Sequence, residues 1–164
     1  MKSFRIGQGF DVHRFADGCP LKICGVTLSA ESGLEGHSDA DVGLHAVADA
    51  IFGALATGDL GEHFPESDPR WRNADSSVFV AHAVALAVSE GFSLVNCDLT
   101  IVGDRPRIAP HRDHLRESLA RILGVSARAV SVKATTTEGL GFLGRMEGLG
   151  AIAIVLLSEV DRNG

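Results

Sequence analysis

The sequence predicts an α+β fold: a two-layer sandwich with helices on one face of a mostly four-stranded mixed β-sheet. Three observations predict it. Stretches with strand periodicity alternate with stretches of helical periodicity, but an early hairpin and adjacent helices break the strict alternation of a parallel-wound sheet. The 164 residues, 45% of them hydrophobic, suffice for one domain spanning 1–164 and for a core that needs no disulfide. No repeat, low-complexity tract or linker divides the chain. A sheet covered on one face leaves the other to meet something, and a homo-oligomer is the simple candidate.

Taken in order, "RIGQGFDVHRF" alternates as a strand, and "LKICGVTL" is a candidate to pair with it as a hairpin. In "HSDADVGLHAVADAIFGALATG" the period changes: Leu44, Val47, Ala48, Ile51 and Leu55 recur at helical spacing, with Gly58 as the stop. Residues 58–75, rich in Pro, Gly and charge, read as a long loop, a kind of segment that is often functional. "SSVFVAHAVALAVSEG" reads as a buried helix capped by Asp75 or Ser76, and "FSLVNCDLTIVG" as a strand. "PHRDHLRESLARILG" is an amphipathic helix with Leu115, Leu119 and Ile122 inward; "AVSVKATTT" and "LGAIAIVLLSEV" close the chain as strands.

Composition excludes several classes. A net charge of −6 argues against non-specific binding to nucleic acid or an anionic membrane surface, so an anionic ligand needs local cations. Three cysteines without a C-x-x-C spacing argue against a disulfide framework or a thiolate zinc site. The opening "MKSFRIGQGF" has no apolar signal region, and the longest apolar run, "AIAIVLL", is too short to span a bilayer. The expectation is a cytoplasmic protein with reduced thiols.

Three clusters carry chemistry. In "GFDVH", strand alternation puts Asp11 and His13 on one side and Val12 on the other. In "HSDADVGLH", Ser38 is a candidate helix cap with Asp39 and Asp41 in the first turn, and Asp41 or Asp49 lies four residues from His45, in reach to fix its tautomer. Asp11, His13 and His45 together form a three-ligand set with one open position, the pattern of a catalytic zinc site, with His37 left free to touch substrate. In "KATTTEGLGFLGRMEG", threonine hydroxyls, backbone N–H groups, Lys133 and Arg145 suit phosphate oxygens, and Glu138 suits a hard cation such as Mg²⁺. "GDRPR" alone is an ordinary turn.

"GFDVH", "HSDADVGLHAVADAIFGA", "GDLGEHFPESD", "NCDLTIV" and "VSVKATTTEGLGFLGR" resemble, in order and over nearly the whole chain, the 2-C-methyl-D-erythritol 2,4-cyclodiphosphate synthases of the non-mevalonate isoprenoid pathway. The resemblance implies a homotrimer, its sheets packed around the three-fold axis, with sites between adjacent subunits. It implies a phosphorus–oxygen lyase that converts 4-diphosphocytidyl-2-C-methyl-D-erythritol 2-phosphate to the cyclic diphosphate and CMP. Zn²⁺ would sit on Asp11, His13 and His45, and a second ion, Mg²⁺ or Mn²⁺, on Glu138. The transition-state residues fall on His37 and Thr136, and diphosphate and erythritol contacts on Ser38, Asp59, Gly61, Phe64 and Asp68. Cytidine contacts fall on Gly103 to Ala109, including Pro106 and Arg107, and on Thr135, Thr136, Thr137 and Glu138. Phe142 and Arg145 match positions near the trimer axis, where an isoprenoid diphosphate is implied. Gln8, Glu66, Arg105 and Arg107 depart from the usual family pattern. Without the resemblance, the same ligand set fits a zinc-dependent phosphoester hydrolase, and a non-catalytic oligomeric binding module is the alternative from another class.

Overall fold

Phe4–Asp17 forms β1, the long strand around which the sheet is organised. The structure is a computed structural model that describes residues 2–160. After β1 the chain makes a small separate hairpin of β2 (Leu21–Ile23) and β3 (Val26–Leu28), then returns as β4 (Ser32–Glu35) against the end of β1. β5 (Phe92–Val102), β6 (Val130–Thr135) and β7 (Gly148–Glu159) complete a five-stranded sheet in the order β4-β1-β7-β5-β6. All pairs are antiparallel except β5 and β6, whose parallel pairing requires a crossover.

Two expectations are corrected here. The sheet has five strands rather than four, because "SGLE" pairs Ser32–Glu35 with Asp17–Arg14. The segment "LKICGVTL" folds on itself through Leu21↔Leu28 and does not pair with β1.

The helices α1 (Val42–Leu55), α2 (Leu60–His63) and α3 (Ser77–Ser89) lie between β4 and β5, α4 (Arg112–Leu123) between β5 and β6, and α5 (Gly141–Gly144) between β6 and β7. α1, α3 and α4 cover one face, where Leu99, Ile101, Ala151, Ala153, Val155 and Leu157 are buried beneath them. Alternation sends Phe4, Ile6 and Phe10 to the opposite face with Ile154, and that face is open: Ile6 is 73% and Phe10 53% exposed. Among the described residues, no helix is long and apolar enough to cross a membrane.

Helix boundaries differ from expectation for local reasons. α1 ends at Leu55, ahead of Gly58, because Ala56 takes a left-handed conformation (φ 59°) and returns its N–H to the Gly53 carbonyl at 3.1 Å. Its N-cap is Asp41 in place of Ser38, and the 58–75 segment contains α2 and a short 3₁₀ turn, Pro69–Trp71. The buried Asp41 carboxylate accepts from Leu44 N–H at 3.0 Å, Cys24 N–H at 2.9 Å and Gly25 N–H at 2.6 Å, so it clamps the β2–β3 turn to α1. Burial pushes that carboxyl above its ordinary value, against the lowering effect of the three N–H groups.

The contact that places the site is between α1 and β1. Gly7 and Gly9 share the face of β1 that looks at the helix, and a Cβ on Gly9 would sit 1.9 Å from the Ala46 carbonyl oxygen. On Gly7 it would sit 1.8 Å from the Ala50 oxygen. The helix backbone therefore rests directly on bare strand, and any side chain there forces the two apart. Gly9→Ala is expected to lower stability by about 3 kcal/mol or more, at or above the usual overpacking cost, and to weaken metal uptake in whatever fraction folds. Urea unfolding with a zinc titration of the same samples checks it.

Candidate metal centre and adjoining pocket

Beyond the two glycines, the same face of β1 continues to Asp11 and His13, and the α1 residue next to Ala46 is His45. Pressing α1 onto β1 brings the three together. His13 Nε2 lies 2.9 Å from His45 Nδ1, and Asp11 Oδ2 lies 3.0 Å from each nitrogen. Among the described residues these three form the group of His, Cys, Asp and Glu side chains able to share one metal ion.

The donor chemistry fits a cation. His13 Nδ1 lies 3.1 Å from the Glu35 carbonyl, which can only accept, so that nitrogen carries a proton in either charge state, and the neutral ring turns an Nε2 lone pair inward. His45 Nε2 points the other way, toward Ser38 Oγ at 3.0 Å and Ser76 Oγ at 2.9 Å, and leaves Nδ1 facing the cluster. Two imidazole nitrogens and a carboxylate oxygen at such distances repel unless a positive charge lies among them. Nitrogen and oxygen ligands at about 2.0–2.1 Å from Zn²⁺ match this set, with a fourth position free. Burial pushes the Asp11 carboxyl up, but its hydrogen bonds to His13 and His45 outweigh that and hold it well below the usual range. Burial likewise works against charge on His13, yet the hydrogen bond and the charge of Asp11 raise its pKa.

Asp41 and Asp49 are not the partners of His45, contrary to expectation. Asp41 is taken by the β2–β3 turn, and Asp49 accepts from Leu60 N–H at 2.7 Å, tying α1 to α2. The two serine hydroxyls take that place.

A pocket of about 180 Å³ opens beside the cluster, lined by Asp11, His13, His45, His37 and Ser38 on one side. Gly61, Phe64, Glu66, Trp71 and Phe79 line the other. His37 Nε2 is buried and, among the described residues, has no hydrogen-bond partner. Phe64 packs at 4.5 Å from Phe79 and 4.9 Å from Trp71, an aromatic wall supplied largely by the 58–75 segment. Asp59 caps α2 through Glu62 N–H at 2.9 Å, and Asp68 holds Arg70 at 2.6 Å; neither lines the pocket.

The remaining expected residues form a second group at one end of the parallel pair. Gly103 N–H donates to the Thr135 carbonyl at 3.0 Å, which joins the 103–109 turn to Thr135, Thr136, Thr137 and Glu138. Thr136 Oγ1 donates to Glu138 Oε1 at 3.1 Å. None of these residues lines the pocket of the same chain. Lys133 pairs with Asp98 at 2.6 Å and Arg145 with Glu147 at 2.7 Å, while Phe142 is exposed. Sequence reasoning missed the roles of Gly7, Gly9, Trp71 and Phe79. The glycines had a signal, since they share the period-two face of Asp11 and His13.

The profile of the YgbB family matches residues 4–158, and the chain belongs to that family. Within it, the chain is 56% identical over 156 residues to a 2-C-methyl-D-erythritol 2,4-cyclodiphosphate synthase of Geobacillus kaustophilus, covering 95% of this chain and 99% of the relative. Among solved structures, the bifunctional IspDF of Campylobacter jejuni matches with a TM-score of 0.94 and 37% identity over 98% of this chain and 44% of that one. A 2C-methyl-D-erythritol-2,4-cyclodiphosphate synthase in its CDP-bound form matches with a TM-score of 0.86 and 38% identity, over 93% of this chain and 99% of that one.

The raised pKa of His13 has a consequence that can be measured. In metal-free protein, its charged pairing with Asp11 adds stability at pH below the unfolded imidazole value, and this is lost as pH rises through the folded value. Metal binding needs the neutral ring and runs in the opposite direction. The rise in Tm on adding Zn²⁺ is therefore expected to be largest near about pH 8 and to shrink toward about pH 5.5. Calorimetry with and without metal checks it; a pH-independent rise contradicts the ligand assignment.

Proposed function

We propose that the chain converts 4-diphosphocytidyl-2-C-methyl-D-erythritol 2-phosphate to 2-C-methyl-D-erythritol 2,4-cyclodiphosphate and CMP, a phosphorus–oxygen lyase step of isoprenoid biosynthesis. The observation that carries the reading is the meeting of Asp11, His13 and His45 at 2.9–3.0 Å beside a pocket of about 180 Å³. The relative from Geobacillus kaustophilus bears the name of this reaction's enzyme, and a related synthase is solved in CDP-bound form.

The substrate 2-phosphate attacks the β-phosphorus and displaces CMP, so no protein nucleophile is needed. The difficulty is bringing two anions together, which is a matter of charge and position. Zn²⁺ on Asp11, His13 and His45, with Mg²⁺ or Mn²⁺ on Glu138 and the diphosphate, would draw charge from the phosphates and stabilise the leaving group. His37, whose buried Nε2 is unpartnered among the described residues, orients a phosphate oxygen, and Ser38 lies next to it. The aromatic wall of Phe64, Trp71 and Phe79 excludes water from the reacting face. Gly61 lends backbone to the pocket, and Asp59 and Asp68 bound the segment that covers the erythritol.

The group formed by Gly103–Ala109 and Thr135–Glu138 would receive the cytidine nucleotide, with Thr136 near the transferred phosphate. Because this group lies apart from the pocket within one chain, the reading includes a homotrimer in which one subunit supplies the pocket and its neighbour the nucleotide site. The apolar outer sheet face bearing Phe4, Ile6, Phe10 and Ile154 supports such an assembly. Phe142 and Arg145 would then stand near the axis, where an isoprenoid diphosphate would bind.

The test is ³¹P NMR of the protein with this substrate and Mg²⁺, before and after zinc removal. Zinc-dependent appearance of the cyclic diphosphate with equimolar CMP is the expected result. An open-chain product carrying solvent oxygen would instead identify a phosphoester hydrolase, and no turnover by zinc-loaded protein a binding module. Asp11→Ala is expected to lose metal and activity together, whereas His37→Ala keeps the metal and loses turnover by about 10²-fold or more.

A further inference from the structure

The inner nitrogens of the two histidines are equivalent in their task, but their outer nitrogens are held differently. His13 uses a backbone carbonyl, whose role as acceptor is fixed. His45 Nε2 meets hydroxyls, which can donate or accept, so nothing in that contact alone decides where the ring proton sits. If Ser76 donated to Nε2, the ring proton would lie on Nδ1 and block the metal.

On the inner side Asp11 Oδ2, 3.0 Å from Nδ1, draws the proton inward until a metal takes its place; on the outer side the next contact decides what Nε2 meets. Ser76 is fully buried, and its single hydroxyl proton is directed to Asp39 Oδ1 in a short hydrogen bond. Its backbone N–H donates to the same oxygen at 3.2 Å. The other Asp39 oxygen accepts from Lys22 Nζ at 2.8 Å, and Lys22 also reaches Asp75 Oδ2 at 2.6 Å. With one Asp39 oxygen engaged by the Lys22 ammonium, the other accepts the Ser76 hydroxyl proton, so the Ser76 oxygen is left only as an acceptor. Ser38 has no such constraint: its oxygen takes Ala40 N–H at 3.3 Å and lies 3.4 Å from Ser76 Oγ, with no carboxylate partner among the described residues.

We infer that Ser76 is a positioning residue which, oriented by Asp39 and Lys22, holds the His45 proton on Nε2 and so presents Nδ1 to the metal. The inference rests on the metal reading of Asp11, His13 and His45 given above. The chain of contacts runs from Lys22 on β2, through Asp39 and Ser76, the residue that precedes α3, to the ligand on α1. It gives the small β2–β3 hairpin a part in the metal site although it lies outside the main sheet.

Two measurements that do not depend on turnover test it. The first is the ¹⁵N–¹H signal of the His45 ring in zinc-loaded protein. An Nε2–H hydrogen-bonded in wild type and released in Ser76→Ala is expected; an Nε2–H signal unchanged in Ser76→Ala overturns the inference. The second is zinc affinity by chelator competition. Ser76→Ala is expected to bind zinc about 10- to 100-fold more weakly, the usual cost of losing such an outer partner, while Ser76→Thr, which keeps the hydroxyl, stays close to wild type.

Asp39→Asn is the sharper variant. Donors face both oxygens of Asp39, Lys22 Nζ on one and the Ser76 N–H and O–H on the other, so an amide NH₂ meets a donor in either orientation and the grip on the Ser76 hydroxyl is lost. Its affinity is expected to fall about as far as that of Ser76→Ala. Folded Ser76→Ala with wild-type zinc affinity overturns the positioning role while leaving the metal centre intact. Wild-type protein that takes up no zinc overturns the metal reading itself.

Discussion

Everything in the site depends on how near α1 comes to β1. A helix normally rests on a sheet through interleaved side chains, and the two backbones stay apart by their combined length. Here Gly7 and Gly9 remove one set of those side chains, and the carbonyl oxygens of Ala46 and Ala50 occupy the space where a Cβ would be. At that separation a ligand on the helix and two on the strand can share one ion. With ordinary side chains between the layers, His45 would stand too far from Asp11 and His13 to do so. The Asp41 clamp and the Asp49 contact to α2 then fix the helix along and around its axis.

Charge gives the second constraint. The protein carries a net charge of −6, and its pocket adds the carboxylates of Asp11 and Glu66. A phosphorylated ligand entering that field meets repulsion unless a cation is placed inside it. The three convergent donor atoms supply a place for one. On the proposed reading, the same acidic surroundings would disfavour a free anion and favour one bound to metal, tying ligand affinity to metal occupancy.

Much of this was legible in the residues. The period-two alternation of β1 put Asp11 and His13 together, and helical spacing placed His45 in α1, because both signals are local and repeat over many residues. The five-residue stretch at 37–41 was harder, since Ser38, Asp39 and Asp41 are all good caps. The choice of Asp41 is made by Cys24 and Gly25 N–H groups from a distant hairpin. The fifth strand, "SGLE", is too short and too poor in β-branched residues to announce itself, and only its ladder with β1 defines it. The partner of His45 was misread for a like reason: Asp41 and Asp49 sit at the right helical spacing, but long-range contacts claim both, and Ser76 reaches the ring from another helix.

The face of β1 that looks at α1 carries two unrelated demands in a single alternation. At 7 and 9 the demand is for the absence of a side chain; at 11 and 13 it is for particular donor atoms. The intervening positions answer to the other face of the sheet and to whatever covers it. Tolerance to substitution along this strand should therefore resemble a comb, with teeth of equal height but different origin. A change at 7 or 9 harms the fold and the metal together, and one at 11 or 13 harms the metal while leaving the fold. An inserted or deleted residue anywhere in the strand would exchange the faces and lose both at once.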